Sequence, residues 1–144
     1  MSDENNILSR RVLEEVFSAG NLDVVDEILS KDYVHHDPAM PEEGHGREHF
    51  KEFASMYRSA FPDVHVEIED IIAEGDRVAT RWVASGTHEG ELMGISPTGN
   101  RVTVVGTTID RLADGQIAET WDIYDALGMM RQLGAIPSPE ETQA

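Results

Sequence analysis

The chain has 144 residues and no cysteine, so it is long enough to bury one core unaided, and disulfide scaffolds, zinc ribbons and thiol nucleophiles are excluded. Its 28 acidic residues against 11 lysines and arginines give a formal net charge of −17, which argues against nucleic acid and anionic membrane as partners, since both are held by basic surface. Lys31 and Lys51 are its only lysines, and an acidic, lysine-poor surface suits either a high-salt cytoplasm or an ordinary acidic enzyme.

The opening Met-Ser-Asp-Glu-Asn-Asn has neither the basic nor the apolar stretch of a signal peptide, and no run reaches membrane-spanning length, so the expected location is the cytoplasm. Ile7, Val12, Leu13, Val16 and Phe17 recur at helical spacings and predict one helix, stopped by Gly20. Asn21 caps a second helix, with Leu22, Val25, Ile28 and Leu29 on its buried side, ending near Tyr33. The stretch from His35 to Gly46 holds Pro38, Pro41, Gly44 and Gly46 and reads as an irregular loop. Phe50, Phe53, Ala54 and Tyr57 return to helical period between Arg47 and Ala60, and Pro62 ends that helix.

Strand patterns dominate from there. Val64, Val66 and Ile68 alternate into Ile71 and Ile72; Gly75-Asp76 turns the chain into a strand from Arg77 to Thr87. A loop from Glu89 to Asn100 leads to a strand from Arg101 to Leu112, and Asp114-Gly115 is a hairpin signal before Gln116–Tyr124. Leu127 to Leu133 predicts a short helix, and the end after Ile136 is expected to fray. Three helices followed by a hairpin-linked meander give an α+β class: one domain, ordered from about 7 to 134, with a curved antiparallel or mixed sheet wrapped over the N-terminal helices as a cone. The mouth of the cone is the expected pocket.

The last strand carries the clearest chemical signal. Period-2 alternation places Ile117, Glu119, Trp121 and Ile123 on one face, and Ala118, Thr120, Asp122 and Tyr124 on the other. A carboxyl buried among such side chains without a cation keeps its proton to higher pH, which would equip Asp122 to hold or pass a proton near neutrality; on an exposed sheet face it would merely titrate in water. His88, at a strand end in Gly86-Thr-His-Glu-Gly, suits a proton relay at the mouth or a solvated turn. Arg81 and Trp82 are neighbours, so one faces the cone and the other faces out. Tyr33, Tyr57, Trp82, Trp121 and Tyr124 offer an aromatic lining for a flat ligand, or plain core; Met93, Met129 and Met130 flank the entrance or fill it. His35, His36 and Asp37 suggest a metal, yet adjacent histidines on an extended segment point to opposite faces, and no metal is expected. His45, His49 and His65 fall in polar stretches and carry no argument.

Five segments in order, Tyr33-Val-His-His-Asp-Pro, Gly75-Asp-Arg-Val-Ala-Thr-Arg-Trp, Gly86-Thr-His-Glu-Gly, Ile95-Ser-Pro-Thr-Gly-Asn and Ala113-Asp-Gly-Gln-Ile-Ala-Glu-Thr-Trp-Asp, resemble the SnoaL-like polyketide cyclases, or ester cyclases, of the nuclear transport factor 2-like superfold. The resemblance spans about Val12 to Leu133. It implies a cone of sheet and helices, a homodimer through the convex sheet face, and a cofactor-free intramolecular aldol closure of a small hydrophobic carbonyl compound. Asp122 matches the family's acid/base; an isomerase, a hydrolase or an idle ligand-binding module on the same cone are the alternatives. The known cyclases carry a histidine where Thr108 stands here, and a threonine donates a hydrogen bond but cannot become a cation, so an enolate would need stabilisation from elsewhere. Ketosteroid isomerase, on the same superfold, resembles this chain at Asp37-Pro38, which makes Asp37 a second candidate base; the alternative there is a turn whose carboxylate caps backbone amides. The expected site is therefore Asp122, His88 and Asp37 for catalysis, with Tyr33, His36, Tyr57, Arg81, Trp82, Thr108, Thr120, Trp121 and Tyr124 binding the ligand.

Overall fold

The computed structural model describes residues 2–40 and 42–135. Helix α1 (Ser2–Arg11) continues as a π-helical segment, Val12–Ser18, whose last carbonyls, those of Phe17 and Ser18, accept from the Arg58 guanidinium at 2.6 and 3.1 Å. Helix α2 (Val24–Ile28) is short and runs directly into β1 (Leu29–His36); β2 (Gly44–His45), α3 (Gly46–Ala60), β3 (His65–Glu74), β4 (Arg77–Thr87), β5 (Arg101–Ala113), β6 (Gln116–Tyr124) and α4 (Ala126–Gln132) follow. The six strands form one sheet in the order β2-β1-β6-β5-β4-β3. All neighbours are antiparallel except β1, which lies parallel to β6.

The α+β class and the hairpins from β3 to β6 match the sequence reading. In the Asp114-Gly115 turn both residues have positive φ, 53° and 75°, the left-handed pair that a type I′ hairpin requires. The second helix does not reach Tyr33. It stops at Ile28 because Leu29 is already extended (φ −99°, ψ 141°), and the next residues gain a sheet partner that the helical spacing of Val25, Ile28 and Leu29 could not announce. Between Leu29 and Val34 the β1–β6 register shifts, and the Leu29 carbonyl is taken by Arg47 Nε at 2.8 Å. The predicted loop contributes His35 and His36 to β1 and Gly44-His45 to β2. The stretch after Ile136 lies outside the described residues.

Helices cover the concave face of the sheet in two apolar clusters. One joins Val16, Val25, Ile28, Tyr33, Phe50 and Ile117; the other joins Ala60, Phe61, Leu92, Val102, Met129 and Leu133. Each such buried aliphatic or aromatic side chain stabilises by roughly 1.5–3 kcal/mol. Ile117 belongs to this core although strict alternation puts it with Glu119 and Trp121. A register shift sets Leu112 opposite Ile117 but Arg111 opposite Glu119, and the extra residue turns Ile117 inward. Between the two clusters the layers do not meet, and a cavity remains. Among the described residues no helix is long and apolar enough to cross a membrane.

Candidate active site

Three neighbouring strands bring the polar groups together. On β1, Tyr33 and His35 point inward, and Asp37 continues their alternation just beyond the strand; all three are buried. On β6, Thr120, Asp122 and Tyr124 point inward, and Asp122 lies directly across from Thr108 of β5. Both oxygens of Asp122 are engaged: Oδ2 with His35 Nε2 at 2.6 Å and Oδ1 with Thr108 Oγ1 at 2.6 Å. Trp82 Nε1 lies 2.9 Å from the same threonine oxygen. An indole N–H only donates, so Thr108 accepts from Trp82 and gives its own proton to Asp122. His35 completes the chain outward, its Nδ1 lying 3.0 Å from His49 Nε2.

Around this centre lie groups with displaced acidity. Burial pushes the Asp37 carboxyl up, partly offset by the Ala39 amide that donates to its Oδ1 at 2.8 Å; its Oδ2 is buried without a partner. The Tyr57 and Tyr124 hydroxyls bond each other at 2.8 Å. Burial raises Tyr57 to about 12 and raises Tyr124 as well, the latter also through the nearby Tyr57 and Asp37. One layer deeper, Asp110 accepts from Ser9 and Thr120, both at 2.7 Å, and burial pushes its carboxyl up to about 6.

The cavity next to Asp122 encloses about 740 Å³ when the solvent space at its open mouth is included. Phe17, Phe53, Tyr57, Trp82, Val104 and Met129 make up much of its wall, with Thr108, Asp122 and Tyr124 as polar points. Among the described residues no lysine or arginine lines it. A flat apolar molecule with a few oxygens fits that surface.

The structure thus gathers Asp122, Thr108, Tyr57, Trp82 and Tyr124 at one cavity, sets Asp37 beside Asp122, and places Tyr33 and Thr120 in the wall just behind, where they line a smaller second cavity. Four expected residues stand elsewhere. Arg81 is exposed on the convex face, bonded to Asp70 at 2.8 Å, because its neighbour Trp82 takes the inward position. His36 and Trp121 are register partners on that same outer face, stacked with ring centroids 5.3 Å apart, and His36 Nε2 bonds Glu119 at 2.6 Å. His88 is fully buried but away from the Asp122 cavity, its Nδ1 accepting from the Thr98 amide at 3.2 Å; with backbone bonds to Asn100 and Gly99 it pins the loop after β4. Met93 is exposed, whereas Met129 lines the cavity.

Of the two neighbouring histidines, His36 was the one expected at the ligand, and it is His35 that the fold turns inward. A strand reading of residues 29 to 37 would have put Tyr33, His35 and Asp37 on one face by alternation, but the helical spacing before it masked the strand. His49 was passed over too. It lies on the stripe that Phe53 and Tyr57 continue at four-residue steps, which marks the inward side of α3.

His35, Asp37 and Asp122 each present one potential ligand atom, all within 4.8 Å of one another, so a metal has to be weighed here. The His35 Nε2 and Asp122 Oδ2 atoms are 2.6 Å apart and bonded to each other, whereas bonds of about 2.0 Å to a tetrahedral zinc would set them roughly 3.3 Å apart, so an ion there would have to replace that bond.

A family model, the SnoaL-like polyketide cyclase, matches residues 7–133. The chain belongs to that family. Among curated SnoaL-like relatives, the nogalonic acid methyl ester cyclase of Streptomyces nogalater is 33% identical over 129 residues, covering 87% of this chain and 93% of that one. The aklanonic acid methyl ester cyclase DnrD of Streptomyces peucetius is 30% identical, with 97% of each chain covered. Of solved structures, AclR from Streptomyces galilaeus, a proposed hydroxylase, superposes with a TM-score of 0.85 at 30% identity, covering 96% of this chain and 85% of its own. TsrD from Streptomyces laurentii does so at 0.84 and 29%, covering 94% and 98%. The protein is a SnoaL-like enzyme of the cyclase type, on the cone-shaped fold that its sequence implied.

Proposed function

We propose that the protein closes a ring in a polyketide methyl ester, a small hydrophobic carbonyl compound, by intramolecular aldol addition, with Asp122 as base and then acid. The observation that carries this reading is the double engagement of Asp122. Thr108 and His35 direct hydrogens at its two oxygens from opposite sides, at the edge of an apolar cavity. A carboxylate held as an acceptor there can take the proton alpha to a carbonyl. The resulting enolate attacks a second carbonyl of the same molecule, and the new alkoxide receives a proton from the Asp122 carboxyl. No proton is gained or lost over the cycle. His35 sets an imidazole against Asp122, where the family's cyclases carry theirs at the position that Thr108 holds here. Asp37, which burial holds above the range of a free aspartate, lies within 4.8 Å of Asp122 and His35 but is not among the residues that line the cavity, so no proton-transfer step runs through it.

The apolar wall, with few polar points, supplies orientation, and a positioned acid/base contributes about 10²- to 10⁴-fold. Aklanonic acid methyl ester and nogalonic acid methyl ester, the compounds in the relatives' names, are the first substrates to offer. Asp122→Asn keeps the size and the bond from Thr108 but cannot take the proton, so kcat should fall by about 10²-fold or more. Full activity in that variant would refute the assignment.

The reading includes a homodimer through the convex face. Ile72, Val105, Ile109 and Ile123 are exposed there on β3, β5 and β6, Ile72 and Ile123 by 68% and 67%, and an apolar stripe of this kind suits a protein interface.

A further inference from the structure

We propose that His49 is a positioning residue that joins Asp122 to bulk water through His35, giving the acid/base a proton route that bypasses the apolar cavity. The inference rests on the reading of Asp122 as proton carrier and adds a route to it.

The His35 ring is fully buried, yet neither of its nitrogens is idle. Nε2 lies 2.6 Å from Asp122 Oδ2, and Nδ1 lies 3.0 Å from His49 Nε2. Phe50 and Phe53 pack edge-on against the ring, with centroids 5.6 and 4.7 Å away, which leaves it those two polar contacts and no others. His49 is half-buried in the first turns of α3, so the far side of its ring reaches solvent. A ring bonded at both nitrogens can take a proton at Nε2 while releasing another at Nδ1. A proton leaving the Asp122 carboxyl therefore enters His35 at Nε2, the His35 Nδ1 proton passes to His49 Nε2, and the His49 Nδ1 proton leaves to water. The reverse sequence reloads Asp122. Charge balances at each step, and no other reactant is needed.

A bound apolar ligand would fill the cavity and shut the direct path from Asp122 to water, which gives the second path its use. The charged and titratable groups around the pair are Asp122 of β6, Asp110 of β5, Asp37 and Tyr33 near His35, and His45 of β2 and Glu52 of α3 next to His49. His49 is held below the usual histidine range, by burial first and by His35 and His45 next, so at neutral pH it is uncharged and free to carry a proton. Gly44 bears on the same contact: a Cβ at 44 would overlap the His49 ring at Nε2. The absence of a side chain at 44 is what lets His49 approach His35.

The test needs no substrate. In ¹⁵N-histidine-labelled protein, NMR line broadening at the two His35 ring nitrogens reads how fast the ring exchanges its Nδ1-protonated form for its Nε2-protonated one, the change that each pass of the relay makes. His49→Phe removes the carrier and fills its space; His49→Gln keeps a hydrogen bond to His35 but cannot relay a proton; Gly44→Ala pushes the ring away. Each should slow exchange by about 10²-fold, the lower end of what a positioned proton carrier contributes. Retention of the wild-type rate in both His49 variants, with the His35 ring signals unmoved, overturns the proposal. A wild-type protein that fails to cyclise any ester would sink the proposed function and leave this measurement intact.

Discussion

Trp82 of β4 occupies the place where a side chain at Gly106 of β5 would stand. The two are register partners, and a Cβ built on Gly106 would overlap the indole at Cζ2. That vacancy lets the ring lie flat across β5 and bring Nε1 within 2.9 Å of Thr108. Gly106→Ala should displace the indole, release its bond to Thr108 and lower kcat, with a shift in tryptophan fluorescence as the structural signature. An unchanged emission spectrum with unchanged kcat would show that the ring does not depend on the glycine.

Thr108→Val tests the middle of the chain of donors. Valine has nearly the same shape but neither accepts from Trp82 nor donates to Asp122. It leaves the half-buried Trp82 indole N–H without its partner, at a cost of about 1 kcal/mol in stability. The base also loses a directing group, so kcat should drop by about tenfold or more with little change in KM. Chemical denaturation and steady-state kinetics on one preparation separate the two effects.

Asp110 makes stability depend on pH in an unusual direction for an aspartate. Its folded-state value, about 6, lies above that of an unfolded chain, so the fold favours the protonated form. The stability it contributes is complete below about pH 4 and is lost as pH rises through about 6, by roughly 3 kcal/mol for a rise of two units. Asp63 and Glu119 are shifted the other way, so the clean measure is a difference. Urea unfolding of wild type and Asp110→Asn from pH 4 to 8 should show the variant gaining relative stability as pH rises; parallel curves would contradict this.

Ile123 is exposed beside Thr107 in the middle of the convex face. If that face joins two copies, Ile123→Lys should yield a monomer in sedimentation velocity, with folding preserved because the side chain touches no core. Running the wild type at low and high salt also tests adaptation to salt: an acidic dimer repels itself, so its dissociation constant should fall as ionic strength rises.

Local pattern and cross-chain contact divide the account of this protein between them. The hairpins from β3 to β6 and the inward face of Asp122 are readable in sequence, because strand alternation and turn chemistry are local properties that survive into the fold. The pairing of Asp122 with Thr108 is not: the two-residue turn by itself would set Asp122 across from Thr107, and the register shift between Arg111 and Leu112 moves it by one. The choice of His35 over His36 is not readable either. It depends on β1 lying parallel to β6, which brings together residues 87 positions apart, and on a register shift after Leu29 that no local pattern signals. The same holds for Ile117, turned inward by an extra residue, for Arg81, sent outward because Trp82 fills the space over Gly106, and for His49, which finds His35 only because Gly44 leaves room. Sequence alone singled out Asp122 as the inward carboxyl of the last strand; the tertiary structure decided which side chains surround it, because strand pairing across the chain, not composition along it, sets what an inward residue meets.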